Sequence, residues 1–490
     1  MPRIPLPLGF GFYQSESLPF SAQRCINWIP VVAEGAALSV SALLQPPGLK
    51  VFKDADLQKN RGAIVANGVS YFVNDDSLIS LSSSGVVTNH GTIEGSGRVS
   101  MAVNAKNSET GSQYIVIVVP GSSAYAFATV TNVLTLITDT DFITSDTVVF
   151  SDGFFIFTAT AGDVFFISRL NDPLTYDALD IGTAEINPDN IVAAHVNHNE
   201  VFVCGDETIE LFDNVGGSGF PYQRIEGANI QKGVHAKFTI VEFDNTFCFA
   251  GGGLNELTAI WKVTGSSSAT KISTDAIDTE IQKFTRDEIA DAFAMTFARR
   301  GQFFALFTFE SERIPSRTFV YSATSSALAG SAVWFELQTG LDDNRFRVQS
   351  IVSAYGKLLV GDQTTGIIGE FDDNTFTYYG EPIFRRMQTA PFSQDGLPIF
   401  SGEFEATFES GVGLNNGIDP VVLLSYSDNG GRIFKGDFAR GIGKIGEYGQ
   451  QTVWNRQGRF PVSRSIQLTV TDPVRANLIR LAASAEIGAQ

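Results

Sequence analysis

Between Thr147 and Leu170 the chain reads TVVFSDGFFIFTATAGDVFFISRL, three short runs of β-branched and aromatic residues separated by two polar breaks. Asp152-Gly153 joins the first two runs. A tight hairpin turn that matches strand twist needs positive φ, which Asp and Gly tolerate, so this dipeptide predicts a hairpin. Thr160-Ala161-Gly162-Asp163 joins the second run to the third. The unit reads as an antiparallel meander whose middle strand is apolar on both faces. A lone meander cannot bury two faces, so neighbours must pack against it from both sides.

The same phrase recurs. Asn67-Gly68 precedes VSYFV, Gly111-Ser112 precedes QYIVIVV, His198-Asn199 precedes EVFVC, Asp244-Asn245 precedes TFCFA, Arg300-Gly301 precedes QFFALF and Tyr355-Gly356 precedes KLLVG. With Asp152-Gly153 there are seven modules, their turns about 40 to 56 residues apart. Four-stranded propeller blades repeat at about 40 to 50 residues. No linker interrupts the series. The pattern predicts a mainly β fold, with a β-propeller of six or seven blades over 51–375; a row of stacked β-sandwiches is the alternative.

The flanks read differently. Residues 1–50 carry prolines at 2, 5, 7, 19, 30, 46 and 47, which favour extended backbone. They also carry apolar anchors, among them Phe10, Phe12, Tyr13, Phe20 and Trp28. An extended segment with anchors and no core of its own has to lie on something. It lies either on its own domain or on a neighbouring subunit; an N-terminal arm that wraps a subunit interface is the favoured expectation, and these five residues are the candidate subunit or partner contacts. Gln45-Pro46-Pro47-Gly48-Leu49 reads as the turn that ends the arm. A helical insertion is expected near 275–292, where Ala276, Ile277 and Ile281 precede a capping-box pattern, Thr285-Arg286-Asp287-Glu288. Residues 376–490 return to strands with Gly-, Asn- and Asp-rich loops, the pattern of a C-terminal β-sandwich-like region or closing sheet. There, Ser427-Asp428-Asn429-Gly430-Gly431-Arg432-Ile433-Phe434 is a degenerate Asp-box, a hairpin knitted by its own side chains.

Composition narrows the class. The 490 residues are 43% hydrophobic and 18% charged, enough apolar surface to fold and too little charge for disorder. Phe occurs 40 times, Gly 47 times and Met 4 times, which suits strands and tight turns. A net charge of −19 argues against a protein that grips duplex DNA from outside, because such affinity comes from neutralising phosphates. Three cysteines, Cys25, Cys204 and Cys248, are too few and too odd for a disulfide framework and read as buried apolar residues. The start, MPRIPLPLGFGF, is broken by three prolines and does not read as a signal peptide; no apolar run is long enough to span a bilayer. A soluble protein without membrane insertion is expected.

Catalytic and metal patterns are absent. His195 and His198 flank a strand and a turn, and no carboxylate or cysteine completes a ligand set around them. Asp75-Asp76, Asp342-Asp343 and Asp372-Asp373-Asn374 sit in turns without the spacing of a dedicated calcium loop. The loop from Gly411 to Gly417 lacks the parallel strand–helix unit of a cofactor site, and there is neither a phosphate-binding loop nor a nucleophile elbow. Neither catalytic residues, cofactor nor metal are expected. A sialidase on this scaffold needs several Asp-boxes and an arginine cluster, and one degenerate box does not supply them. A glycan-binding or glycan-cleaving propeller, as a receptor-binding or depolymerase component, stays open as the rival reading.

Several phrases, taken in order, resemble one family. They are Gln23-Arg24-Cys25-Ile26-Asn27-Trp28-Ile29-Pro30, the Pro46-Pro47-Gly48 turn, Gly95-Ser96-Gly97-Arg98-Val99-Ser100-Met101-Ala102, Gln231-Lys232-Gly233, Asp287-Glu288-Ile289-Ala290-Asp291-Ala292, Thr339-Gly340-Leu341-Asp342-Asp343 and Trp454-Asn455-Arg456-Gln457-Gly458-Arg459. The set resembles the packaged DNA stabilisation protein, or tail hub (nozzle), of short-tailed bacteriophages. The resemblance implies a non-enzymatic virion part, made in the host bacterial cytoplasm and resident in the tail. It implies a hexameric ring below the portal and its adaptor ring. That ring would extend the DNA exit channel, retain packaged DNA without sequence-specific binding, and attach a tail needle or tip and tailspikes or fibres. Several loops and the end, 479–490, depart from the enterobacterial members.

Overall fold

The computed structural model describes residues 3–107, 111–184, 186, 189–217, 219–394, 397–414 and 417–487. At six of the module turns both central residues hold positive φ, as at Asp152 (49°) and Gly153 (91°). Each of these six turns joins an innermost strand to the next one out. The innermost strands are Asn60–Ala66, Ser100–Val103, Ser145–Ser151, Ile191–Asn197, Val241–Phe243, Phe293–Arg299 and Val348–Ala354. The seventh module turn, Gly111-Ser112, lies in a longer connection that ends at strand Tyr114–Val118.

Seven antiparallel sheets result. Successive residues of a strand point to opposite faces, and the middle strands use both. In Phe154–Ala159, Phe155 and Phe157 pack with Val116 and Val118 of the second sheet, while Ile156 packs with Val201 and Val203 of the fourth. The same division joins the first sheet to the second through Tyr71 and Ile115, the fourth to the fifth through Phe202 and Phe249, and the fifth to the sixth through Ile260 and Phe307. The seventh meets the first through Leu359 and Phe72. Every sheet is thus packed on two neighbours and the series closes on itself, which is a seven-bladed β-propeller. Helices Asp275–Ile281 and Arg286–Ala290 place Ile277, Ile281 and Ile289 in the layer between the fifth and sixth blades. The second helix begins with a complete capping box, Thr285 and Glu288 bonding each other's backbone N–H groups.

The seventh blade takes its outer strand from far upstream: Gly48–Asp54 pairs antiparallel with Ile367–Asp372. The residues before it are shared out among other sheets. Ala22–Ile26 lies between Trp334–Glu336 of the sixth blade and Arg385–Gln388, so one continuous sheet runs from that blade into the C-terminal region. Ile29–Val32 and Ser41–Leu44 form a hairpin whose inner strand meets Leu478–Ile487, and Arg3–Leu6 pairs with the same strand. The C-terminal region is a β-sandwich. One face is Thr452–Phe460, Ile399–Phe408 and Leu478–Ile487 with these N-terminal strands; the other is Ala22–Ile26, Arg385–Gln388, Ser463–Val470, Val421–Ser427 and Lys435–Gly441. One apolar cluster joins Trp454, Phe404 and Leu481 of the sandwich to Phe304, Phe335 and Val360 of the last two blades, with Trp28 and Leu43 inside it. The Trp28 indole is fully buried and donates to the Ala476 carbonyl at 2.6 Å. No helix among the described residues is long and apolar enough to cross a membrane.

Two histidines lie between blades. The His195 ring packs 4.6 Å from Phe247 with its Nε2 buried and unpartnered, and His235 Nδ1 meets Thr258 Oγ1 at 2.7 Å. Burial pushes both pKa values down to about 4. Unfolded histidine protonates near pH 6.5. The unfolded chain therefore binds more protons as pH falls from about 6.5 toward 4, and each histidine lowers stability by about 1.4 kcal/mol per pH unit in that window. Above it the contribution is fully present. Denaturant titrations from pH 7 to pH 4 are expected to show this slope, and the His195→Gln/His235→Gln variant to have lost most of it. A slope that is the same in both proteins would assign it to other groups.

Candidate interaction surfaces

The joint between propeller and sandwich is ionic as well as apolar. Strand Ala22–Ile26 carries Arg24 toward the outer edge of the sixth blade. Its guanidinium donates to Glu336 at 2.5 and 3.0 Å and to Asp343 at 3.1 and 3.2 Å. Arg317 donates to the same Glu336 at 3.0 Å. Arg24 and Glu336 are both buried. Burial disfavours the charge on Arg24, and Glu336 and Asp343 more than offset it, so its pKa is raised and it stays charged. Burial likewise opposes the charge on Asp343, but Arg24 and Arg317 hold its pKa below the ordinary value. Such a bidentate Arg–carboxylate arrangement fixes orientation as well as adding attraction. The two bodies are held as one piece, with the N-terminal strand as the middle element.

The five anchor residues fall in three kinds of place. Phe12 and Trp28 are buried within their own chain, Phe12 edge-on to Phe319 at 5.3 Å. Phe10 and Tyr13 are half-buried against the same cores. Phe20 alone projects, 71% exposed, with Tyr13 6.5 Å away. The structure therefore does not bring the five together as one surface.

A second exposed apolar feature lies on the hairpin of the opposite sandwich sheet. The hairpin Ile29–Val32/Ser41–Leu44 has an eight-residue tip closed by Ala33 N–H on the Val40 carbonyl. Leu38 and Val40 on it are 67% and 80% exposed. Between this tip and strand Arg3–Leu6 runs an open groove of about 510 Å³ lined by Pro5, Leu6, Pro7, Leu38 and Val40. Arg3 ties the floor of that region to Glu403 and Glu405. The signal for this feature is the small-residue run Ala33-Glu34-Gly35-Ala36-Ala37 between two β-branched stretches; aromatic size, the criterion that picked the anchors, passes over it.

Among the described residues no three His, Cys, Asp or Glu side chains are grouped to hold a metal ion. The three cysteines are buried and unpaired. The Asp-box closes on itself: Ser427 Oγ and Asn429 Oδ1 accept from the Gly431 and Ile433 N–H groups, and Asp428 accepts from Arg464. Asn415 and Asn416 of the glycine-rich loop lie outside the described residues.

Comparison with known proteins gives two family matches in sequence order. The family described as bacteriophage P22 Gp10, beta-propeller, matches residues 4–376, and that described as bacteriophage P22 Gp10, beta-sandwich, matches residues 385–486. No curated protein matches the chain. Among solved structures, the computationally designed Ika8 protein is 12% identical over 66% of this chain and 99% of its own, with a TM-score of 0.36. The C-terminal WD40 domain of Sif2 is 8% identical over 66% of this chain and 98% of its own, with a TM-score of 0.39. At these scores the structural likenesses add nothing to the fold described above.

Proposed function

The chain belongs to the bacteriophage P22 Gp10 family across both propeller and sandwich, and from that premise we propose that it is the tail hub of a short-tailed phage. Its copies form a six-fold ring below the portal and adaptor. The ring extends the DNA exit channel, retains the packaged genome, and anchors a needle or tip and spikes or fibres. The observation that carries the reading is the pair of family matches, which in order take in nearly the whole chain. The fold supports it. A part that bears load between head and tail has to move as one body, and the Arg24 joint and shared core couple the propeller to the sandwich. The net charge of −19 suits a surface past which DNA slides without sticking.

The test is the oligomeric state of the purified protein, by mass photometry and negative-stain imaging, with and without its phage's adaptor-bearing portal. A six-fold ring on the portal is the expected result; a monomer that ignores the portal sinks the hub reading. A head-to-tail ring needs two different patches per subunit, and we assign one of them to Leu38 and Val40 at the hairpin tip. Val40→Asp places a charge on an exposed tip and leaves the fold intact. It is expected to weaken ring assembly at least tenfold while the melting curve stays that of the parent. Unchanged assembly would move the contact elsewhere on the rim.

A further inference from the structure

The innermost strands of the blades all begin at one face of the propeller, and there the ring opens into a recess of about 380 Å³. Two of the family-like phrases meet in it, Gly95–Ala102 through Ser96, Gly97 and Arg98, and Asp287–Ala292 through Ala290 and Asp291. Its charge runs against that of the whole chain. Lys237 is neutralised by Asp146 at 2.5 Å, and the buried Arg345 just beyond the lining by Glu310 at the same distance. With Glu310 of the lining taken up by Arg345, Lys59, Arg61 and Arg98 share the recess with Asp291, and Asp75 and Asp76 act on Arg61 from nearby; none of the three cations is ion-paired among the described residues. Arg61 spends its donors on four backbone carbonyls, those of Gly97, Asp75, Ile93 and Glu94, which bring no counter-charge.

Arg98 is the informative group. Nη2 donates to the Gln349 carbonyl at 2.8 Å and to its side-chain oxygen at 2.7 Å. The guanidinium lies 3.8 Å from the centre of the Phe293 ring and 5.9 Å from that of Phe238. Nε and Nη1 have no hydrogen-bond partner among the described residues. Arg98 is half-buried and makes no ion pair among the described residues. The carboxylate that acts on it, Glu310 of the same recess, is taken up by Arg345, and a partly buried cation whose counter-charge is shared gains from a further carboxylate. Burial and the neighbouring Arg345 charge push the Arg98 pKa down, and Glu310 offsets only part of this.

We propose that this recess binds a carboxylate-bearing stretch of a partner protein, an extended acidic peptide segment. Its carboxylate pairs with the free edge of Arg98 and with Lys59 at the mouth, and its apolar neighbour lies on Phe238 and Phe293. The volume is that of a small-ligand pocket, which admits a side chain and a few atoms of backbone. A duplex is too wide to bring a phosphate to the floor, so the chemistry is that of peptide and not of the genome.

The test is calorimetric titration of the full-length protein with two peptides, acetyl-Gly-Leu-Glu-Leu-Gly-amide and its Gln counterpart. The Glu peptide is expected to bind at least tenfold more tightly, and Arg98→Gln to erase the difference. Lys59→Gln, an exposed change with no structural partner to lose, is expected to reduce the preference about threefold and keeps the test alive if Arg98→Gln fails to fold. Equal binding of the two peptides, a preference that survives both substitutions, or displacement of the Glu peptide by a 20-base-pair duplex would each overturn the proposal.

Discussion

A chain without residues 1–54 is expected not to reach the native state in either half. The deletion removes the outer strand of the seventh blade, the strand that joins the sixth blade to the sandwich, and a hairpin and an edge strand of the opposite sandwich sheet. It takes with it the fully buried Trp28, Leu43 and Leu49. A buried tryptophan replaced by alanine costs about 3–5 kcal/mol and a leucine about 2–5. Three such losses are comparable to the whole stability of an ordinary domain, about 5–15 kcal/mol. The truncated protein should show weak near-ultraviolet circular dichroism, no cooperative melting and rapid proteolysis. A cooperative transition in the remaining chain would mean that the propeller closes without its borrowed strand.

Arg24→Met carries the second-largest effect and tests the joint alone. Methionine keeps the stem of the side chain and removes the charge, leaving Glu336 buried with only Arg317. Breaking a buried pair in this way costs about 3–5 kcal/mol. Because the pair spans the seam, the loss should appear as uncoupling: one calorimetric transition in the parent, two in the variant. Acid should act on the same seam. The Asp343 pKa is held below the ordinary value, so its contribution is present above about pH 4, where unfolded aspartate ionises, and is lost as pH falls through the folded value. A single transition in Arg24→Met, shifted by less than a degree, would show that the apolar cluster holds the seam unaided.

The blades were legible because their determinants are local. A two-residue turn with both φ positive limits the choice to Gly, Asn, Asp and few others, and an apolar stretch on either side completes the hairpin. Even the unusual members have local reasons. Tyr355 sits at φ 57°, and its hydroxyl bridges from the seventh blade to the first, donating to the Leu81 carbonyl and accepting from the Ser70 N–H. The mainly β class and the propeller followed from such phrases, and the sandwich from the change of character after 376.

The course of the first 54 residues is a different matter. Gln45-Pro46-Pro47-Gly48-Leu49 reads as a turn ending an arm, but Gly48 opens the strand that completes the seventh blade. A Cβ there would stand 2.2 Å from the Thr375 carbonyl oxygen, so only glycine allows the approach. That constraint comes from a residue more than three hundred positions away, and no window of sequence contains it. The anchors show the same limit. Size and apolarity marked Phe12, Trp28 and Phe20 alike, but whether an aromatic ends in a core or in solvent depends on which strand comes to lie beside it. The recess around Arg98 is hidden for the same reason: its lining comes from the first, second, fifth, sixth and seventh blades and meets only once the ring is closed.

The strand that closes the ring also orders events in time. Gly48–Asp54 leaves the ribosome early, and its partner Ile367–Asp372 emerges more than three hundred residues later, on the order of tens of seconds at bacterial elongation rates. Until then the first blade has no seventh to lean on, and the N-terminal strands wait with their hydrogen-bonding edges open. The sandwich waits longer still, for Leu478–Ile487. A nascent chain of this design stays open over most of its synthesis, so a copy terminated before residue 367 has no closed propeller, and one terminated before residue 478 has a closed propeller without its finished sandwich.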